Sequence, residues 1–348
     1  MASELFMKMF IEADLASQEF SFEKLRTSLN VLTPQINRKI GLSYDLDKKE
    51  IIQHSKESII RNLCLHPSII QSPKFDHVLL RDFFYFIQDD SFSESKLAQC
   101  FYLLHGSKSD YSSVDLGTAK QEFQQYFMCF STIDVNVNIS KYHFLTDLMT
   151  LFNKIIKATI IKDKVNLLIQ EVVEKSDEFN YDKVELIFFN SNFEDLDGFS
   201  GRNAIYVNLN RLIKLNNFLI SDTKKNITMK LNFLALIIHE LSHIVLRFKL
   251  KDFNLSSPEL VRIGDKDIKK NVNECGFNAE IKFFKHVIDW FGSASVINNE
   301  YCENYLSNIF NDNFVELDIE KACLFTIPPE SLPKMAFRCR LIKHFSRF

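Results

Sequence analysis

Leu231–Phe248 reads LNFLALIIHELSHIVLRF, and the rest of the chain is best understood outward from it. The run is apolar and carries no helix breaker, so it predicts a long buried helix, from about Ile227 to Lys249. Within it His239 and His243 stand four apart and point the same way, as two ligands of one metal ion must. Glu240 projects beside the pair, where a carboxylate can take a proton from a metal-bound water. Burying two imidazoles and an acid without pairing or coordination is costly, which argues for a cation.

The 348 residues suit one large or two ordinary domains. Net charge is −3, so no strong field draws the chain to nucleic acid or anionic lipid. The basic clusters KDK, TKKN and DKDIKK are short and mixed with acids, as a solvated surface is. With 8 Gly and 7 Pro, the composition favours helix over a turn-rich β architecture. The seven cysteines are scattered without a CxxC pair, which disfavours disulfides and a Cys-only zinc site and fits a reducing compartment. The opening MASELFMKMFIEADLASQEF places acids where a signal peptide needs an apolar core, and no stretch is expected to span a membrane. A cytoplasmic location is expected, with delivery by a signal-free route left open.

The expected class is α+β, mostly helical with a small sheet. A helical N-terminal domain, residues 1–135, is expected to serve recognition or regulation, followed by a second domain, 136–348. Apolar spacing predicts helices at Phe22–Leu29, Lys48–Leu65, His77–Gln88, Ser95–His105 and Ala119–Phe130, then at Tyr142–Ile161 and Lys164–Ser176. His54, His66, His77 and His105 are isolated from one another and read as structural or solvent-facing. Val184–Asn190 and Ala204–Leu209 read as strands, and DLDGFSGR between them as a turn. Helices are expected at Arg211–Ile220 and Val272–Phe291, then a mixed tail from Tyr301 with a helix break at IPPESLP.

A catalytic zinc takes three protein ligands and leaves one position for water. The third ligand is sought on the helix beginning NECGFNAE, about thirty residues after His243. Glu274 is preferred, because Cys275 and Gly276 are small enough to let that helix approach closely. Glu280 is the alternative ligand, or else a residue that orients His239 or His243. His286 would make a three-histidine site. Six residues apart, Glu274 and Glu280 do not both face one ion on a straight helix. Cys275 itself reads as a buried space-filling thiol.

His239, Glu240, His243 and the stretch Asn273-Glu274-Cys275-Gly276-Phe277 resemble the zincin metallopeptidases, and among them the gluzincins. The second stretch is similar to the Asn-Glu-Gly-Phe-Ala of zinc aminopeptidases, with Cys275 inserted. The interval to Glu274 is longer than in thermolysin-like enzymes, and no GAMEN-like segment is present. The resemblance spans roughly Val184–Phe291. It implies a zincin-like core with zinc on His239, His243 and Glu274, and a peptide or protein substrate hydrolysed with Glu240 as proton acceptor. It also implies that Ala204–Leu209 is an edge strand pairing with extended substrate. Tyr301, Tyr305, His286, Arg338 and Arg340 are candidates to stabilise the oxyanion. The rival readings are a non-catalytic zincin-fold scaffold, which has no need of Glu240, and a regulatory protease dedicated to one repressor or host protein. A nucleic-acid role is the weakest.

Overall fold

The computed structural model describes residues 42–65, 83, 85–106, 129–171, 173, 177–193, 196–217, 221–255, 274–313, 315–328 and 338–339. The expected helix Phe22–Leu29, Asn273, Arg340 and most of His77–Gln88, Ala119–Phe130 and IPPESLP lie outside these residues. The helices are α1 (Lys48–Leu65), α2 (Glu94–Gly106), α3 (Phe144–Lys157), α4 (Thr159–Gln170), α5 (Leu209–Asn216), α6 (Asp222–Lys249), α7 (Cys275–Phe284), α8 (Asn299–Phe310) and the single turn α9 (Ile319–Ala322). The strands are β1 (Glu185–Phe189), β2 (Leu196–Ser200), β3 (Ala204–Asn208), β4 (Val287–Ile288), β5 (Thr326–Ile327) and β6 (Arg338–Cys339). The protein is therefore α+β, mostly helical with a small sheet.

The main sheet runs β1-β3-β2-β6, and β4 and β5 form a separate two-stranded pair. β1 and β3 are parallel over five residues, from Glu185 opposite Ala204 to Phe189 opposite Asn208. β2 lies antiparallel to β3 on its other side. Side chains alternate across the sheet as the period of two requires. Phe188, Ile205 and Val207 enter one core with α3, α4, α6 and α7. Phe189, Phe199, Ala204 and Tyr206 enter a second core with α1, α2 and Phe253. The early helices thus cover one face of the sheet, and α6 with its neighbours covers the other.

From Ile227 to Arg247 α6 is buried on nearly every side, and its sequence there is apolar to match. Its 28 residues are long and apolar enough to cross a membrane, against the expectation that no stretch would be, and 94% of its most apolar window is buried inside the protein. Each fully buried Leu or Ile on it contributes about 1.5–3 kcal/mol, and Leu231, Leu234, Ile237, Leu241, Ile244 and Leu246 are all buried.

Three local expectations are corrected. Within DLDGFSGR, Leu196–Ser200 is a strand, β2, with all five residues buried. Its glycine is there for proximity, since a Cβ on Gly198 would fall 2.4 Å from the Tyr206 carbonyl oxygen of the adjoining strand. Because β2 exists, β3 is paired on both sides and is not the edge strand expected at Ala204–Leu209. The helix expected over Val272–Phe291 is shorter, from Cys275 to Phe284. It ends where Lys285 adopts the left-handed conformation at φ 68°, and Val287 then enters β4.

Candidate metal centre

The two histidines and the downstream acid are brought together by different means. His239 and His243 sit one turn apart on α6, both buried. Glu274 precedes α7 as its N-cap, with extended backbone at φ −77°, ψ 126°. Its Oε2 accepts a hydrogen bond from the Phe277 N–H at 2.6 Å, satisfying one of the open amides of the first turn. Aspartate and serine cap helices more often than glutamate does. The longer side chain lets one oxygen cap the helix while the other reaches across to α6.

That second oxygen, Glu274 Oε1, lies 2.7 Å from His243 Nε2, and Oε2 lies 3.8 Å from His239 Nε2. One ligand atom from each of the three side chains falls within 4.8 Å of the others. Apart from this close approach to each other, His243 Nε2 and Glu274 Oε1 are buried without a hydrogen-bond partner. Two electron-pair donors buried side by side and turned toward a common point fit a shared divalent cation.

Glu280 lies on α7 proper, and its Oε1 is 2.9 Å from His239 Nδ1. Accepting the Nδ1 proton fixes the tautomer and turns Nε2 toward the cluster, the usual support for a metal-binding imidazole. Glu274 and Glu280 both reach His239 because Glu274 is outside the helix, so the straight-helix objection does not apply. Gly276 provides the clearance. A Cβ there would fall 2.3 Å from His239 Nε2. Phe277 adds an edge-on ring contact to His239, with centroids 4.9 Å apart.

The electrostatics follow from the crowding of acids and imidazoles. Burial pulls the His239 pKa down, but the Glu274 charge, the Glu280 hydrogen bond and the Glu240 charge outweigh it and push it up to about 9. Burial raises Glu274, and the charges of His239 and His243 overcome that to hold it at about 2. Glu240 is 1% exposed, and its Oε1 has no hydrogen-bond partner. Burial pushes the Cys275 thiol up to about 12, so it stays neutral and donates to Ser242 Oγ at 3.4 Å.

Of the other sequence candidates, His286 is exposed beyond the end of α7. Tyr301 is engaged elsewhere, its hydroxyl accepting from the Asp318 N–H at 2.9 Å. Tyr305 is buried in the main core, and Arg338 contributes backbone to β6. His54 is half-buried on α1 and His105 buried on α2, away from this centre.

Arg247 was not singled out by sequence. It is 1% exposed and donates to Ser200 Oγ at 2.9 Å and to the Leu255 carbonyl at 2.6 Å, tying α6 to β2 and to the turn after α6. Its pKa is lowered by burial, against the opposing charges of Tyr44, Glu240, Cys275 and Glu274. A basic residue one turn beyond His243 in an otherwise apolar run was the available signal. No family model matches the chain, no curated protein matches it, and no solved structure matches it.

Proposed function

We propose that the protein is a zinc-dependent metalloprotease with a zincin-like core that hydrolyses peptide bonds in a protein or peptide. The observation that carries the reading is the convergence of His239, His243 and Glu274 on one point, with the facing His243 and Glu274 atoms buried and without a partner outside the group. These residues would hold the ion, which when bound supplies Lewis acidity and a water acidic enough to ionise near neutrality. Glu240, next in sequence to the first ligand, would accept the proton of the attacking water and hand it to the leaving amine. Glu280 would hold the His239 ring in its ligating tautomer. Gly276 would keep the space in which that ring stands.

A second reading, a metal-stabilised fold without activity, is favoured by the burial of His239, His243 and Glu240 at 1% exposure or less. Against it, structural zinc sites are closed by four protein ligands, and the group here contains three among the described residues. A buried Glu240 oxygen without a hydrogen-bond partner is a burden that a scaffold has no reason to carry.

The test is metal analysis with a proteome-wide search for cleavage products. The unaltered chain is expected to bind about one zinc. Glu240→Gln should keep that zinc and lose cleavage by a factor of at least about a hundred. Glu274→Ala should lose the metal, while Glu280→Ala should weaken its binding by about 10–100-fold. Unchanged cleavage by Glu240→Gln would transfer the case to the scaffold.

A further inference from the structure

Of the five cysteines whose side chains are described, four are buried and Cys323 is exposed. Cys323 closes the single turn α9 with a left-handed backbone, φ 56°, ψ 50°. That position at the end of a helix is ordinarily glycine, because a Cβ is crowded in the left-handed region. A side chain kept there against strain points to a use for it.

Cys302 is its neighbour in space. It lies in the first turn of α8 and is fully buried. The Asn298 amide, at the N-cap of α8, donates to the Ala322 carbonyl at 3.1 Å. The Cys302 amide donates in turn to the Asn298 carbonyl at 3.0 Å. Asn298 thus touches the residue before Cys323 on one side and Cys302 on the other. Cys302, Leu306, Ala322 and Leu324 share one core. The two thiols are near enough to act on each other: burial, and after it the Cys323 thiol, raise the Cys302 pKa to about 12. Burial raises Cys100 and Cys129 as well, without another described thiol adding to it.

We propose that Cys302 and Cys323 are a reversible thiol–disulfide pair, oxidised by a small disulfide of the glutathione type. Cys323 gives its proton to solvent, and its sulfur attacks the S–S bond of oxidised glutathione. One glutathione leaves as thiolate and is protonated, and a mixed disulfide stays on Cys323. Cys302 then loses its proton and its sulfur attacks the Cys323 sulfur, while the second glutathione leaves and is protonated. Two protein thiols are oxidised to one disulfide, and one glutathione disulfide is reduced to two thiols. Burial of Cys302 slows the second attack, because little of it is thiolate, so the mixed disulfide should be seen before the internal one.

Residues beyond Cys323 support the two-stranded sheet that follows α7. The Phe325 N–H donates to Ser293 Oγ at 2.8 Å, and its carbonyl accepts from the Asp289 N–H at 2.9 Å. β5 then pairs with β4. The disulfide would fasten this support to α8. The exchange needs neither metal nor turnover, so it stands whether or not the protein is a protease.

The experiment places the whole 348-residue chain, metal-free, in oxidised glutathione, followed by acid quenching, alkylation and peptide mass mapping. An adduct on Cys323 should appear first and give way to a Cys302–Cys323 link, and dithiothreitol should restore both thiols. Cys302→Ala should hold the adduct at least about tenfold longer. Once the link has formed, amides of residues 287–289 and 324–327 should exchange at least about tenfold more slowly. Equal adduct lifetimes in the two proteins overturn the proposal, as does a link from Cys323 to any other cysteine. If Cys302→Ala fails to fold, the unaltered chain decides, since an adduct that never resolves into the Cys302 link refutes the pair. A link that leaves those amides unchanged refutes the fastening.

Discussion

At the scale of single residues, Gly276 has the most exposed consequence. A methyl group there would overlap the His239 ring at 2.3 Å, and the obstruction falls on Nε2, the atom turned to the cluster. Gly276→Ala should therefore lower zinc affinity by at least about tenfold, in the range found for disturbed ligand supports, while leaving the far-UV dichroism unchanged. Competition with a chelating dye would measure it. The titration of His239 gives a second prediction. Its pKa is raised from 6.5 to about 9 in the metal-free protein. The stability it lends is present below pH 6.5 and is lost as pH rises from there through about 9. The proposed zinc would compete with that proton for the same carboxylate-flanked imidazole, so its uptake should release protons and its apparent affinity should climb across the same interval. Calorimetry in buffers of different ionisation enthalpy would count the protons. Of these residue-scale features, the histidine spacing, Glu240 and the preference for Glu274 were legible in sequence, because helical geometry fixes which side chains share a face. The role of Glu280 was weighed as an alternative but not separated from ligation. The choice depended on Glu274 standing outside the helix, a backbone fact that side-chain spacing does not encode.

At the scale of elements, legibility followed the strength of the local signal. Lys48–Leu65 was read from its apolar spacing with the boundaries it has. The helix expected at Ser95–His105 is one residue longer at each end, and that expected at Ile227–Lys249 ends as observed but begins earlier, at Asp222. β1 and β3 announced themselves as short runs of β-branched and aromatic residues. β2 did not, because two glycines and two aspartates imitate a turn. What overrides that local preference is packing: Asp197 is buried against Arg211, with Oδ1 3.1 Å from Nε, and Leu196 and Phe199 enter the second core. Missing β2 also misplaced the edge of the sheet, since the position of an edge depends on every strand being counted. α7 was overextended for a related reason. The apolar residues after Phe284 continue a helical pattern, but Val287 and Ile288 are buried through pairing with Thr326 and Ile327 instead.

At the scale of the molecule, the early helices and the candidate metal centre are joined through the sheet rather than set apart. Phe189, Phe193, Phe199 and Tyr206 share a core with Ile51, Phe86, Phe101 and Leu104. Arg202 reaches back to the Tyr44 carbonyl at 3.1 Å, and the Leu42 amide donates to Asp252 Oδ1 at 2.8 Å. Expressing residues 136–348 alone should accordingly give insoluble or self-associating protein, since an aromatic sheet face would be uncovered. Gel filtration with light scattering against the whole chain would check this, and a soluble monomer would contradict it. Sequence placed a boundary near residue 135 because the apolar pattern loosens there, but a change of texture along the chain does not report which surfaces later meet. The burial of α6 has a last consequence. Heating that opens the protein bares a rod apolar enough to enter a bilayer, and such rods find one another in water faster than they find their old surroundings. Survival when hot is then governed by the rate of opening, not by the balance of folded and unfolded chains, and cooling a scorched sample will not bring it back.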